Sequence, residues 1–180
     1  MIVLKDTPKG VDVQIDRLQR YLYNDILVNN PSNNWTWNSY HRANMNPTRL
    51  DHKKYIAEVY TEKGEYIDVY LDDSVSVTSF FIVDPVRQFV NGKWKVKVSM
   101  IVQSLLDEVK GNVSHRADEE HMNDFVLAIN KLQNVFPLIS VETEIDDVYK
   151  EFEKEKLRLD NIGVFHVMRF NFELSYELSC

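Results

Sequence analysis

The sequence predicts an α+β fold: a single α+β domain over residues 1–180, built on a mostly antiparallel sheet of about five or six strands with two main helices packed on one face. Three observations predict it. From Val164 to Leu178, His166, Met168, Phe170, Phe172, Leu174, Tyr176 and Leu178 share one parity, and Arg169, Asn171, Glu173, Ser175 and Glu177 share the other, as in a strand with one apolar face. Trp94, Val96, Val98, Met100 and Val102 repeat this alternation against Lys93, Lys95, Lys97, Ser99 and Gln103. Around Val11–Val28 and Asp118–Leu132, apolar residues recur instead at steps of three and four, which places them on one stripe of a helix. The final strand is expected to lie centrally in the sheet. At roughly 3.3 Å per residue it could span about 45 Å, whereas the helix at 118–132 is about 22 Å long at 1.5 Å per residue. Part of the strand's apolar face therefore calls for another strand layer or another subunit.

Taken in order, the first helix carries Val11, Ile15, Leu18, Leu22 and Ile26 on one side, with Asp12 or Thr7 available as a cap. Asn29, Asn30, Pro31, Ser32, Asn33 and Asn34 then read as a loop, because these residues favour turns and Pro31 interrupts a helix. Residues 29–50 are a candidate for a protruding loop. Its candidate interface residues are Trp35, Trp37, Tyr40, Arg42, Met45 and Arg49, since Trp, Tyr, Met and Arg are enriched where proteins touch. The leading reading is that these aromatics fold back over the core, and the protruding contact loop is the alternative. Tyr55–Tyr60 and Glu65–Leu71 alternate around Thr61, Glu62, Lys63 and Gly64, a hairpin pattern. Val75, Val77, Phe81 and Val83 continue as a strand that Asp84 and Pro85 should end. Asn91-Gly92 marks the turn into the strand at 94–102. A polar connection covers 107–114, and Asp118, Glu119 and Glu120 begin the second helix where its dipole favours acids. Ile139–Ile145 alternates weakly as a strand, and Val148, Tyr149 and Phe152 suggest a short helix.

Composition narrows the function. A hydrophobic fraction of 44% and a charged fraction of 27% are those of a globular protein with an ordinary core. A formal charge of −7 disfavours direct nucleic-acid binding, which usually shows a basic surplus. Cys180 is the single cysteine, so neither an internal disulfide framework nor a thiolate metal cluster can form, and a reducing cytosolic origin fits. No signal-peptide core or apolar run of about 20 residues is found, so no membrane span is expected. The five glycines are scattered singly, without the spacing of a phosphate-cradling loop.

Catalytic, metal and cofactor sites are all expected to be absent. His115, Arg116, Asp118, Glu119, Glu120 and His121 form the densest polar cluster, yet His115 and His121 are too far apart for one helical turn. A solvated helix start explains them better than a metal or acid–base centre. His166, on the apolar parity of the last strand, reads as a hydrogen-bonded core or interface histidine. The acidic run from Glu142 to Glu155 is interleaved with Lys150 and Lys154 and reads as a solvated face. No G-x-S-x-G signature accompanies any serine.

The order of elements carries a resemblance: an amphipathic helix, an aromatic loop, strands that include Lys93-Trp94-Lys95-Val96-Lys97-Val98-Ser99-Met100-Ile101-Val102, the segment His115-Arg116-Ala117-Asp118-Glu119-Glu120, a helix and a final strand. This layout resembles the tail-terminator and neck (head-to-tail connection) proteins of tailed bacteriophages, over most of the chain and by element order alone. The resemblance implies a non-enzymatic structural virion protein, made in the host cytoplasm and located at the neck or tail. It implies a homo-oligomeric ring in contact with other neck or tail proteins, with DNA passing through the lumen unread and no membrane involved. The alternative is a monomeric cytosolic domain that binds a peptide or ligand with its aromatic loop. A third reading, a metal hydrolase using His115, Asp118 and His121, has only the polar cluster behind it.

Overall fold

The computed structural model describes residues 1–30, 32–48, 54–61, 64–111, 117–157 and 165–177. Helix α1 (Val11–Tyr23) runs into a π-helical turn (Asn24–Val28). Strands β1 (Trp37–Arg42) and β2 (Asn44–Pro47) follow, then β3 (Tyr55–Tyr60), β4 (Tyr66–Asp68) and the two long strands β5 (Val77–Val90) and β6 (Lys93–Leu105). After the short helix α2 (Leu106–Lys110) come α3 (Asp118–Asn130), β7 (Leu138–Glu142), the helical turns α4 (Ile145–Val148) and Lys154–Leu157, and finally β8 (Phe165–Tyr176).

The strands form an open five-stranded mixed sheet in the order β1-β5-β6-β8-β7 and a separate three-stranded sheet, β2-β3-β4. Among the strands of the described residues β1 and β5 pair in parallel and the other neighbours are antiparallel, with isolated parallel bridges at Ile2↔Ser39 and Tyr55↔Phe152. The last strand lies in the interior of the sheet, as expected, one place from the middle strand β6. β8 lies next to it, paired from Trp94↔Tyr176 to Leu105↔Phe165, with β7 on its other side.

Two cores form, one on each face of the large sheet. The first joins Ile15, Leu18 and Leu22 of α1 and Phe125, Ala128 and Ile129 of α3 to the apolar parity of β6 and β8. Met168, Phe170, Phe172 and Leu174 are completely buried there. Among the described residues of this parity, the expectation of another strand layer or another subunit is overturned, and with it the support this face lent to assembly: the length comparison considered α3 alone, whereas α1 and Trp37 contribute to the same core. The second core joins Phe80, Ile82, Ile101 and Val167 on the opposite face to Ala57 and Val59 of β3 and to Val148, Tyr149 and Phe152. Half of the face that alternation marked as polar is therefore covered.

Two expectations change with these cores. Residues 37–47 are strands and not a protruding loop, because the Trp37 ring packs on Tyr23, Trp35 and Phe125 while its Nε1–H donates to Ser79 Oγ at 3.0 Å. Asp84-Pro85 does not end β5. The pairing register shifts between Val83 and Arg87, the Asp84 carboxylate accepts the Val86 N–H at 2.7 Å, and pairing then resumes to Val90. A bulge on an edge is a place where proline is tolerated, since its missing N–H is not needed there.

Candidate interaction surface

The six residues predicted as an interface do not come together. Trp35 and Trp37 belong to the first core and Tyr40 to the second, all at least nine-tenths buried. Arg42, half-buried, lies 3.4 Å from the Asp12 carboxylate, which also receives Lys5 at 2.5 Å. Met45 lies half-buried at the wall of a cleft described below. Arg49 lies outside the described residues.

The histidine cluster divides in the same way. His115 and Arg116 lie outside the described residues. His121 is fully buried on α3, with its Nε2 2.8 Å from Ser104 Oγ and its ring edge-on to Trp35 and Phe125. Burial first, then the nearby His166 and Lys110, lowers its pKa to about 3, so it is a neutral core residue sealed from any substrate. His41, with Nε2 3.3 Å from the Asp12 carbonyl, is lowered as well, chiefly by burial. Among the described residues, no three His, Cys, Asp or Glu side chains are grouped to hold a metal ion.

The acidic run does more than face solvent. Arg169, read from the sequence as an outward residue of the last strand, is 5% exposed and grips Glu151 through two bonds, at 2.5 and 2.8 Å. It also donates to the Val148 carbonyl at 3.2 Å and to Asn171 Oδ1 at 3.2 Å. Asn171 in turn bonds Ser99, Ser140 and Glu142. This network clamps α4 and its flanking turn to β7 and β8. Beside it lies a cleft of about 720 Å³, with Met45, Ile82, Pro85 and Ile139 among its apolar walls. Ser99 and Asn171 in the cleft bond each other, so Ser99 faces an amide and not a base that could activate it.

The most exposed apolar feature lies elsewhere. Beyond Val83, β5 and β6 continue as a hairpin arm closed by Asn91 and Gly92, whose φ values of 52° and 79° are those of a tight hairpin turn, with β8 paired along β6 as far as Trp94↔Tyr176. Val86 is 67% exposed, Phe89 62% and Val90 39%, and the Phe89 ring lies 5.1 Å from that of Trp94. β1 pairs with β5 only as far as Phe81. Among the described residues, no strand covers the outer edge of β5 from Asp84 to Val90. Unpaired backbone groups beside exposed apolar side chains form a template for another strand. The arm is also basic: residues 85–97 hold Arg87, Lys93, Lys95 and Lys97 and no acid. Lys95 meets Glu173 at 2.8 Å and Lys93 meets Glu177 at 3.3 Å, both across to β8. Reading Pro85 as a strand end concealed the arm, although Phe89 and Val90 immediately before Asn91-Gly92 were a usable sign of a longer strand.

The described residues form an α+β protein with an open five-stranded mixed sheet, a three-stranded sheet and an exposed apolar stretch at the outer edge of β5. Comparison with known proteins adds no relative: no family model, no curated protein and no solved structure matches the chain.

Proposed function

We propose that this chain is a non-enzymatic structural protein that assembles through protein contacts into a ring, and that the ring belongs to the neck or tail of a tailed bacteriophage. The single observation that carries the assembly is the outer edge of β5 from Asp84 to Val90, left open beside the exposed Val86, Phe89 and Val90, while Val96, Leu174 and Tyr176 on the strands behind it are buried in the first core. Pro85 and its bulge blunt the start of this edge, while Gln88 to Val90 stay open beside the exposed Phe89, and an open apolar stretch of this kind argues for a partner. The phage location has the resemblance in element order behind it. In this reading the two long helices, α1 and α3, back one face of the sheet, and the open edge of β5 lies at its margin. A net charge of −7 suits a lumen through which DNA passes without adhering.

Native mass spectrometry with negative-stain imaging tests the proposal. The expected result is one discrete, closed oligomer with a lumen wide enough for duplex DNA. A strictly monomeric chain at its highest soluble concentration would overturn it. The alternative of a monomeric peptide- or ligand-binding domain keeps one supporting observation, the cleft of about 720 Å³. The aromatic residues that suggested it lie in the cores.

A further inference from the structure

The large sheet has a second open edge. β7 pairs with β8 on one side, and among the described residues no strand covers its other side. Ile139 on β7 is 56% exposed, and Ser140 beside it is exposed too. The open stretch of β5 and the open side of β7 thus bound opposite margins of one sheet, and three features make them complementary.

The first is direction. β5 is antiparallel to β6, β6 to β8, and β8 to β7, so β5 and β7 run in opposite senses. When a second copy is set beside the first with its strands running the same way, its β5 arrives antiparallel to the first copy's β7. That is the pairing already used by most neighbours in this sheet, and it adds backbone hydrogen bonds to both open edges. The second is charge. The arm, residues 85–97, carries four cations and no acid, whereas residues 138–154 on and after β7 carry six acids (Glu142, Glu144, Asp146, Asp147, Glu151 and Glu153) against Lys150 and Lys154. Lys93 and Lys95 already meet Glu177 and Glu173 of β8, and Glu142, Asp146 and Glu151 are held by Lys150, Lys154 and Arg169, so the complementarity rests on Arg87 and Lys97, with Asp84 beside them, against Glu144, Asp147 and Glu153. The third is the exposed apolar surface on both edges, Val86, Phe89 and Val90 on one and Ile139 on the other.

We infer that the β5–β6 arm of one copy adds as a strand to the outer edge of β7 of a second copy, giving a head-to-tail contact that continues the sheet from subunit to subunit. Such a contact uses two different surfaces on each copy, so it repeats, and it closes into a ring when the rotation per step permits. The inference rests on the ring reading and says which surfaces make the ring.

Disulfide trapping tests it, in full-length protein carrying Cys180→Ser. Gln88 and Val90 lie on the same face of the sheet as Ser140, through the register Gln88↔Lys95, Val90↔Lys93 and Ser140↔Asn171. Arg87 and Phe89 lie on the opposite face. Ser140→Cys protein mixed with Gln88→Cys or Val90→Cys protein is expected to cross-link between copies under mild oxidation, while mixtures with Arg87→Cys or Phe89→Cys do not. Reversing the arm with Arg87→Glu and Lys97→Glu is expected to weaken assembly at least tenfold, with recovery when Glu144→Lys and Asp147→Lys are added. Oligomers that form with none of these cross-links and no charge rescue would overturn the docking mode and leave the ring reading intact. A chain that stays monomeric overturns both, and leaves the arm for a different protein.

Discussion

Acidification should destabilise this protein through His121, and the size of the effect follows from its burial. The native imidazole has a pKa of about 3, against 6.5 for the unperturbed side chain. The folded-state value is the lower one, so the unfolded chain takes up a proton that the native state refuses, and stability falls as pH drops below 6.5. Each pH unit in that range removes about 1.4 kcal/mol, so at about pH 5 the loss from His121 is about 2 kcal/mol relative to neutral pH. His41, also lowered by burial, acts in the same direction. The interval from about pH 6.5 to about pH 5 is the informative one, since carboxylates begin to titrate below it. Denaturant unfolding at both ends of that interval, for the native chain and for His121→Gln, measures the effect. Glutamine offers the Ser104 hydroxyl a polar partner without a titrating proton, so the variant should lose about 2 kcal/mol less than the native chain between the two pH values. An identical pH dependence in the two proteins would refute the reasoning. If the variant does not fold, an NMR titration of His121 in the native chain decides: the ring should stay neutral down to about pH 4.

Three further outcomes are expected. Arg169→Leu strands the Glu151 carboxylate, which is about one-third exposed, and should cost about 2–3 kcal/mol in denaturant unfolding, below the full penalty for a buried pair because water still reaches Glu151. Phe172→Ala opens a cavity at a completely buried position facing both long helices' core and should cost about 3–5 kcal/mol, read as a lower denaturation midpoint with little change in slope. Phe89→Glu, at the exposed arm, should change stability by no more than about 0.5 kcal/mol while shifting the sedimentation profile toward monomer; a large drop in stability with unchanged assembly would place Phe89 in the fold and not in a contact.

Much of the fold was legible because its signals are local. The alternation in β6 and β8, the Asn91-Gly92 turn and the three-and-four spacing of α1 and α3 each state a period that one kind of element satisfies. Long-range pairing was not legible in the same way. The parallel partnership of β1 with β5, 40 residues apart between Trp37 and Val77, is what turns Trp35, Trp37 and Tyr40 from a suspected outer loop into core. Nothing in the immediate neighbourhood of those aromatics distinguishes the two outcomes. Arg169 shows a second limit: a charged residue on the polar parity reads as solvated, and only the folded position of Glu151, 18 residues earlier, makes it a buried clamp. Pro85 shows a third, since proline ends a central strand but survives on an edge with a bulge, and edge status is a property of the whole sheet. The exposed outer edge of β5 was missed for that reason.

The most direct test of assembly by the arm is native mass spectrometry of the full chain beside the Phe89→Glu variant, at matched concentration. The account predicts a single closed oligomer for the native chain and a shift to monomer for the variant, with both proteins equally folded. A monomeric native chain, or an oligomer indifferent to the loss of Phe89, would contradict it.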